Sequence, residues 1–293
     1  MYVTIPCSRP TPSSSPPLRH VHFVAIVGIL LSSCAKAPPS TAPILLFAGA
    51  GTSPNDVQAL ERLMQERSIE YDKLTSAQAN GMSAGEFGRH RLLIVPGGDF
   101  LEIGKGLTPV AFANIREAVH GGMSYLGICA GAFLAGDATY PSLKFAPGVQ
   151  FPFYADEGRG IRKAAVRIST VDMPILDQYW EDGPQLSGWG DVVGKYPDGT
   201  PAVVEGNAGA GFVILTGIHA EAPSSWRGSM TFSTPAAVDN TYAARLIEAA
   251  ARRTPLPHFQ GRTVGAGTGG RGTFIRASTG LGYARWDPAH SGN

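Results

Sequence analysis

The stretch YLGICAGAFLAG, Tyr125–Gly136, sets a lone cysteine, Cys129, between two glycines, Gly127 and Gly131. A structural cysteine in a core needs no such flanks. A cysteine on a sharp strand-to-helix turn does, because larger side chains two positions before and after it would collide. "MSYLGIC" reads as a strand, and "AGAFLAGD" begins a helix directly after it. Such an elbow projects the sulfur outward at a helix N-terminus, where the partial positive charge favours thiolate. The N–H of Ala130 can then face a developing oxyanion.

The pattern repeats upstream of the elbow. "PILLFAG" reads as a buried strand, followed by the turn "AGTSPND" and by Val57, Leu60, Leu63 and Met64 at helical spacing. Asn55 or Asp56 is the candidate cap of that helix. "IEYDKLT" and "RLLIVPGGD" offer two more strands, the second stopped by Pro96, Gly97 and Gly98. Val110, Ile115 and Val119 recur at helical spacing before Gly121 and Gly122. Strand–helix alternation predicts an α/β fold, a parallel sheet with helices on both faces. Ligands in such sheets gather at the carboxyl ends of strands, where Cys129 and the "PGG" both fall. Gly97 or Gly98 is therefore a candidate second oxyanion donor.

From Tyr140 to Gly211 the texture changes. "LKFAPGVQFPFY", "KAAVRIST" and "TPAVVEG" suggest short strands and turns, with hairpins that could extend the sheet. "GFVILTGIHAEAP" restores a buried strand, and "NTYAARLIEAAARR" is an amphipathic last helix. A cysteine nucleophile needs a histidine. Of the seven histidines, His219 alone follows a buried strand at the sheet edge expected for Cys129. Glu221, two residues on, can bond the second ring nitrogen and fix its tautomer. The tryptophans are read chiefly as core. "SGWGDVVGKYPDGTP" and "SSWRGS" are exceptions, because they mix tryptophan with glycine and charge. Phe133, Trp189, Trp226 and Arg227 are the candidate pocket residues, with a surface salt bridge the alternative role for Arg227.

The 293 residues carry a net charge of +1, which gives no electrostatic case for nucleic acid. Three cysteines, Cys7, Cys34 and Cys129, make neither a disulfide framework nor a clustered zinc site. No metal and no cofactor are expected. Val21–Leu31 is apolar but far shorter than the roughly 20 residues of a membrane span, and it fits the apolar core of a secretory signal. Residues 254–293 are glycine-rich and read as disordered. Their "GAGTGGRG" lacks the strand and the Lys-Ser/Thr of a phosphate loop.

"LSSC", Leu31–Cys34, resembles the lipobox of bacterial lipoproteins. The resemblance implies removal of residues 1–33, acylation of Cys34 and a flexible tether over 34–42. Ala35 is not the aspartate that would retain the protein at the inner membrane, so the expected place is the periplasmic face of the outer membrane. "VPGGD", "GICAG" and "GIHAEAP" occur in the order seen in the class I glutamine amidotransferase-like superfamily. More narrowly, residues 43–253 resemble the biotin–protein ligase N-terminal-like domain, including its bacterial lipoprotein members. That resemblance implies a flavodoxin-like, doubly wound sheet. It implies Cys129 as nucleophile, His219 as base, Glu221 as its orienter, and an oxyanion hole from Gly98 and Ala130.

One position departs from the pattern. Phe133 stands where glutamine-hydrolysing members usually carry glutamine, and no synthetase segment is read here to receive ammonia. The expected activity is thiol-dependent hydrolysis or transfer at the amide or acyl carbon of a small molecule or peptide. The alternatives are a non-catalytic binding or scaffold lipoprotein that keeps the ancestral site, and a redox role for Cys129.

Overall fold

The computed structural model describes residues 43–154 and 158–260. The signal segment, Cys34, the tether, the acidic pair at 156–157 and residues 261–293 lie outside the described residues. Nine strands form one mixed sheet in the order β2-β1-β3-β4-β9-β8-β7-β5-β6. Its parallel half comprises β1 (Ile44–Phe47), β2 (Tyr71–Leu74), β3 (Leu92–Val95), β4 (Ser124–Ile128) and β9 (Gly211–Thr216). The antiparallel half adds β5 (Lys163–Thr170), β6 (Leu176–Glu181), β7 (Asp191–Lys195) and β8 (Pro201–Ala208).

Every residue of β1, β3, β4 and β9 is buried. Continuous apolar runs are what strands covered on both faces require. Alternate side chains divide between two cores. Ile44 and Leu46 join α1 (Pro54–Glu66) and α7 (Ala236–Arg252) on one face. Leu45 and Phe47 join α5 (Pro109–His120) and α6 (Ala130–Leu134) on the other.

Several elements differ from the expectation. Three short helices, α2 (Ser76–Gly81), α3 (Ala84–Phe87) and α4 (Phe100–Gly106), fill segments with no clear apolar period. "LKFAPGVQFPFY" is turns rather than strand, with Phe145, Phe151 and Tyr154 buried at irregular intervals. Val110 is 64% exposed; the buried stripe of α5 is Ala111, Phe112, Ile115, Ala118 and Val119. The ordered chain also runs past residue 253. The Leu256 N–H donates to both carboxylate oxygens of Glu205 at 3.0 Å, and the Phe259 N–H donates to the Val192 carbonyl at 2.8 Å. Among the described residues no helix is long and apolar enough to cross a membrane.

Candidate active site

Cys129 joins β4 to α6 with φ 48° and ψ −102°. This is a strained conformation for a residue bearing a side chain. A Cβ on Gly127 would come within 2.6 Å of the Gly131 carbonyl oxygen, and one on Gly131 would overlap the Val95 carbonyl. The two glycines thus let the turn close against itself and against β3. The Tyr125 hydroxyl donates to the Gly131 carbonyl at 2.7 Å and ties the turn down. The Cys129 N–H donates to Thr216 at the end of β9 at 2.8 Å, which joins the elbow to the strand that carries His219.

β9 runs parallel to β4, so the ends of both strands open at one sheet edge. His219 lies three residues beyond β9, and its N–H donates to the Tyr179 carbonyl on β6 at 2.8 Å. Its Nδ1 is 3.0 Å from Glu221 Oε1 and 2.9 Å from Asp56 Oδ1. A single Nδ1 proton serves one acceptor well. The alignment favours Glu221, and Asp56 Oδ1 is buried without a hydrogen bond of its own. Cys129 and His219 lie close enough for each to shift the other's ionisation. The Cys129 Sγ also lies 3.6 Å from the Glu181 carbonyl oxygen.

By its place in the sequence Asp56 is a candidate helix cap. The cap of α1 is Ser53, whose hydroxyl accepts from the Asp56 N–H at 3.3 Å. The carboxylate stays free of the cap for a visible reason. In α2 and α3, the third helical residue reaches back to the cap N–H, as Gln78 does to Thr75 and Glu86 to Ser83. In α1 the Ser53 N–H already donates to the Gly97 carbonyl at 3.0 Å, so Asp56 is left to face His219. A Cβ on Gly97 would overlap Asp56 and come within 2.6 Å of His219 Cε1. Gly97 therefore makes room for the acid–imidazole contact. Gly98, at φ 142°, forms an isolated bridge with Thr52 whose hydrogen bonds come from the neighbours Ser53 and Asp99. Its own N–H takes no part in that bridge, and Ala130 is the first residue of α6.

Burial pushes the Cys129 thiol above its ordinary pKa, against the pull of His219. Burial alone would lower His219, but Asp56 and Glu221 outweigh it and hold the imidazolium well above the usual range. Burial also raises Glu221, opposed by the charge on His219. The arrangement is a charged imidazole held between two acids and a thiol. Asp56, His219 and Glu221 also offer three metal-ligand atoms within 4.8 Å of one another. A cation held there would occupy the position of the Nδ1 proton and take the orienting bond away from Glu221.

A cavity of about 440 Å³ opens beside Cys129 and is lined by Gly98, Phe133, His219 and Trp226, among others. Two of the expected pocket residues are elsewhere. Trp189 packs over Gly206 on the sheet. Arg227 is buried, paired with Asp239 and donating to the Thr234 carbonyl at 2.9 Å. Mixed composition marks a loop but not the direction a side chain takes.

Residues 42–145 match the family described as biotin-protein ligase, N terminal. The match ends before β5 and takes in β1–β4 with Asp56 and Cys129, but not β9 and His219. No curated protein matches the chain. Solved structures similar to it include a glutamine amidotransferase, 17% identical, with 71% of this chain and 99% of that one aligned at a TM-score of 0.46. A cytoplasmic protein from Salmonella typhimurium is 12% identical, with 70% and 98% aligned at 0.45. The β-galactosidase Gan42B is 14% identical at 0.43, and the alignment covers 74% of this chain but only 31% of the enzyme.

Proposed function

We propose that this protein uses Cys129, His219 and Glu221 to hydrolyse or transfer at an amide or related acyl carbon, without coupling to glutamine-dependent synthesis. The supporting observation is the meeting of Cys129, on a strained elbow, with His219, whose Nδ1 is bonded to Glu221 at 3.0 Å, beside one cavity. The reactive form is the thiolate beside the imidazolium, reached from the fully protonated site by loss of one proton. The thiolate attacks the carbonyl carbon, and the N–H groups of Gly98 and Ala130 receive the oxyanion. The imidazolium proton passes to the leaving nitrogen as the carbon–nitrogen bond breaks, which leaves a thioester. Neutral His219 then takes a proton from water as the oxygen adds. Collapse releases the acid and restores thiolate and imidazolium. Glu221 accepts the Nδ1 hydrogen bond throughout and keeps the ring in place.

The test is alkylation by iodoacetamide at neutral pH. Cys129 should react faster than free cysteine, and His219→Ala should abolish the advantage. Reaction at or below the free-cysteine rate in the wild type would overturn the proposal. The burial of Cys129, with the raised thiol pKa that follows, favours a second reading: a binding or scaffold protein that keeps the site without turnover. Under that reading Cys129→Ala leaves the cellular phenotype intact.

The proposal extends to export. "LSSC" at Leu31–Cys34 supports a lipid anchor at Cys34 on the periplasmic face of the outer membrane. Intact mass of the membrane-extracted protein should show a diacylated or triacylated chain beginning at Cys34. Unmodified Cys34 would overturn this.

A further inference from the structure

We infer that the cavity beside Cys129 selects substrates whose acyl side carries an aromatic or bulky apolar group, and that it does not hold the amino-acid head of glutamine. This rests on the acyl-transfer reading above and names its substrate class.

The first observation is an aromatic wall. Phe133, on the first turn after Cys129, lies behind two partly exposed rings. It stacks on Phe100 with centroids 4.7 Å apart and meets Phe153 at 4.9 Å. All three line the cavity. Tyr179 and Trp226 line it too, 5.5 Å apart edge to face, with the His219 ring 5.9 Å from Tyr179 and 6.1 Å from Trp226. A group joined to a carbonyl at Cys129 therefore meets ring faces and edges, which suit another ring or a branched alkyl chain.

The second observation concerns charge. A free amino acid carries an ammonium group that needs a carboxylate. The acidic groups on the cavity wall are already engaged. Asp99 accepts from the Leu101 and Glu102 N–H groups at 2.9 and 3.1 Å. Asp182 is paired with Arg162. Glu181 accepts from the Tyr179 hydroxyl at 2.5 Å. Asp56 lies against His219. An ammonium group would have to compete at these carboxylates with the protein's own donors and cations, whereas burying a ring competes with none of them.

The experiment measures binding and turnover separately. Calorimetric titration of Cys129→Ala with phenylacetamide, acetamide and L-glutamine should give phenylacetamide about tenfold tighter binding than acetamide or more, and no binding by glutamine over the same range. Phe100→Ala should erase the preference for phenylacetamide; Phe153→Leu, which keeps the bulk, should reduce it without unfolding the protein. Glutamine binding as tightly as phenylacetamide, or equal binding of acetamide, would overturn the inference. In parallel, wild-type protein is offered the phenylacetyl and γ-glutamyl p-nitroanilides. Binding of phenylacetamide with neither anilide cleaved upholds the aromatic subsite and sinks the acyl-transfer reading. Cleavage with a γ-glutamyl preference upholds that reading and sinks the subsite.

Discussion

The two halves of the sheet divide the labour. The parallel half holds the candidate site residues at the ends of its strands: Asp56 after β1, Gly98 after β3, Cys129 after β4, and His219 and Glu221 after β9. The antiparallel half adds part of the cavity wall. β6 brings Tyr179 and Glu181 to the far wall, and its residue Asp177 accepts from the Ser233 N–H at 2.6 Å beyond the loop that carries Trp226. β9 is the seam, parallel to β4 on one side and antiparallel to β8 on the other. Chemistry at strand ends needs only the repeat of strand, turn and helix. A wall needs chain that turns back over the site.

The largest expected effect tests the first half of that division. His219→Ala should lower acyl hydrolysis about 10³-fold or more, since nucleophile and base act as a unit. Trp226→Ala, on the cavity wall beside the His219 ring, should raise KM and leave kcat within a few fold. Steady-state kinetics on a cleaved p-nitroanilide separate the two. An equal fall of kcat in both variants would end the distinction between reacting groups and wall.

Stability tests the second half. Arg227 and Asp239 form a buried pair, Asp239 being fully enclosed, that fixes the loop bearing Trp226 to α7. Arg227→Met leaves the acid without its cation, holding only the Gln178 hydrogen bond, and should cost about 3–5 kcal/mol in urea denaturation. Arg227→Met with Asp239→Leu should recover most of that loss. Burial lifts the Asp239 carboxyl to about 6, with Arg227 opposing. A raised carboxyl contributes stability that is fully present below its unfolded pKa and is lost as pH rises through the folded one. Without Arg227 the folded pKa climbs further. The deficit of Arg227→Met should therefore be smaller at pH 4 than at pH 8, and a pH-independent deficit would show that the pair carries no charge.

The same division explains what the sequence disclosed. Ile44–Phe47, Leu92–Val95 and Gly211–Thr216 are unbroken apolar runs because both of their faces are covered, and such runs stand out. Cys129 announced itself because an elbow forces small residues at fixed offsets. His219 was reached by asking which strand could end beside it. β6, Leu176–Glu181, was not read, since its polar Asp177 and Gln178 are buried by hydrogen bonds to Ser233 and Asp239 that no local pattern encodes. Asp56 was hidden for a subtler reason. Acids at the third helical position usually cap, and only the bond from Ser53 to Gly97, 44 residues away, releases this one.

Asp56→Asn sharpens that point with a smaller effect. His219 is held high by Asp56 and Glu221 together, against its burial. Removing one acid should lower the His219 titration midpoint, read from its Cε1 proton by NMR. The linkage has a definite sign. A histidine whose folded pKa is raised contributes stability that is full below its unfolded pKa of about 6.5 and is lost as pH rises through the folded value. Asp56→Asn should draw that loss to lower pH. An unmoved midpoint would make Asp56 a space-filling neighbour and leave Glu221 as the sole orienter.

The smallest effect belongs to α5, where Ile115 and Val119 lie on the buried face as their spacing predicts and Val110 does not. Val110 and Ile115 were assigned to a single buried stripe, but Val110 sits on the first turn of α5 and is 64% exposed while Ile115 is 2% exposed. Val110→Lys should change stability by no more than about 0.5 kcal/mol, whereas Ile115→Ala should cost about 2–5 kcal/mol. Urea midpoints at constant m-value measure both. Because α5 packs on the face opposite α1 and far from Asp56, neither change should alter the alkylation rate of Cys129. A change in that rate from Ile115→Ala at matched folded fraction would mean that the core behind β4 tunes the elbow, and the chemistry would no longer be confined to the strand ends.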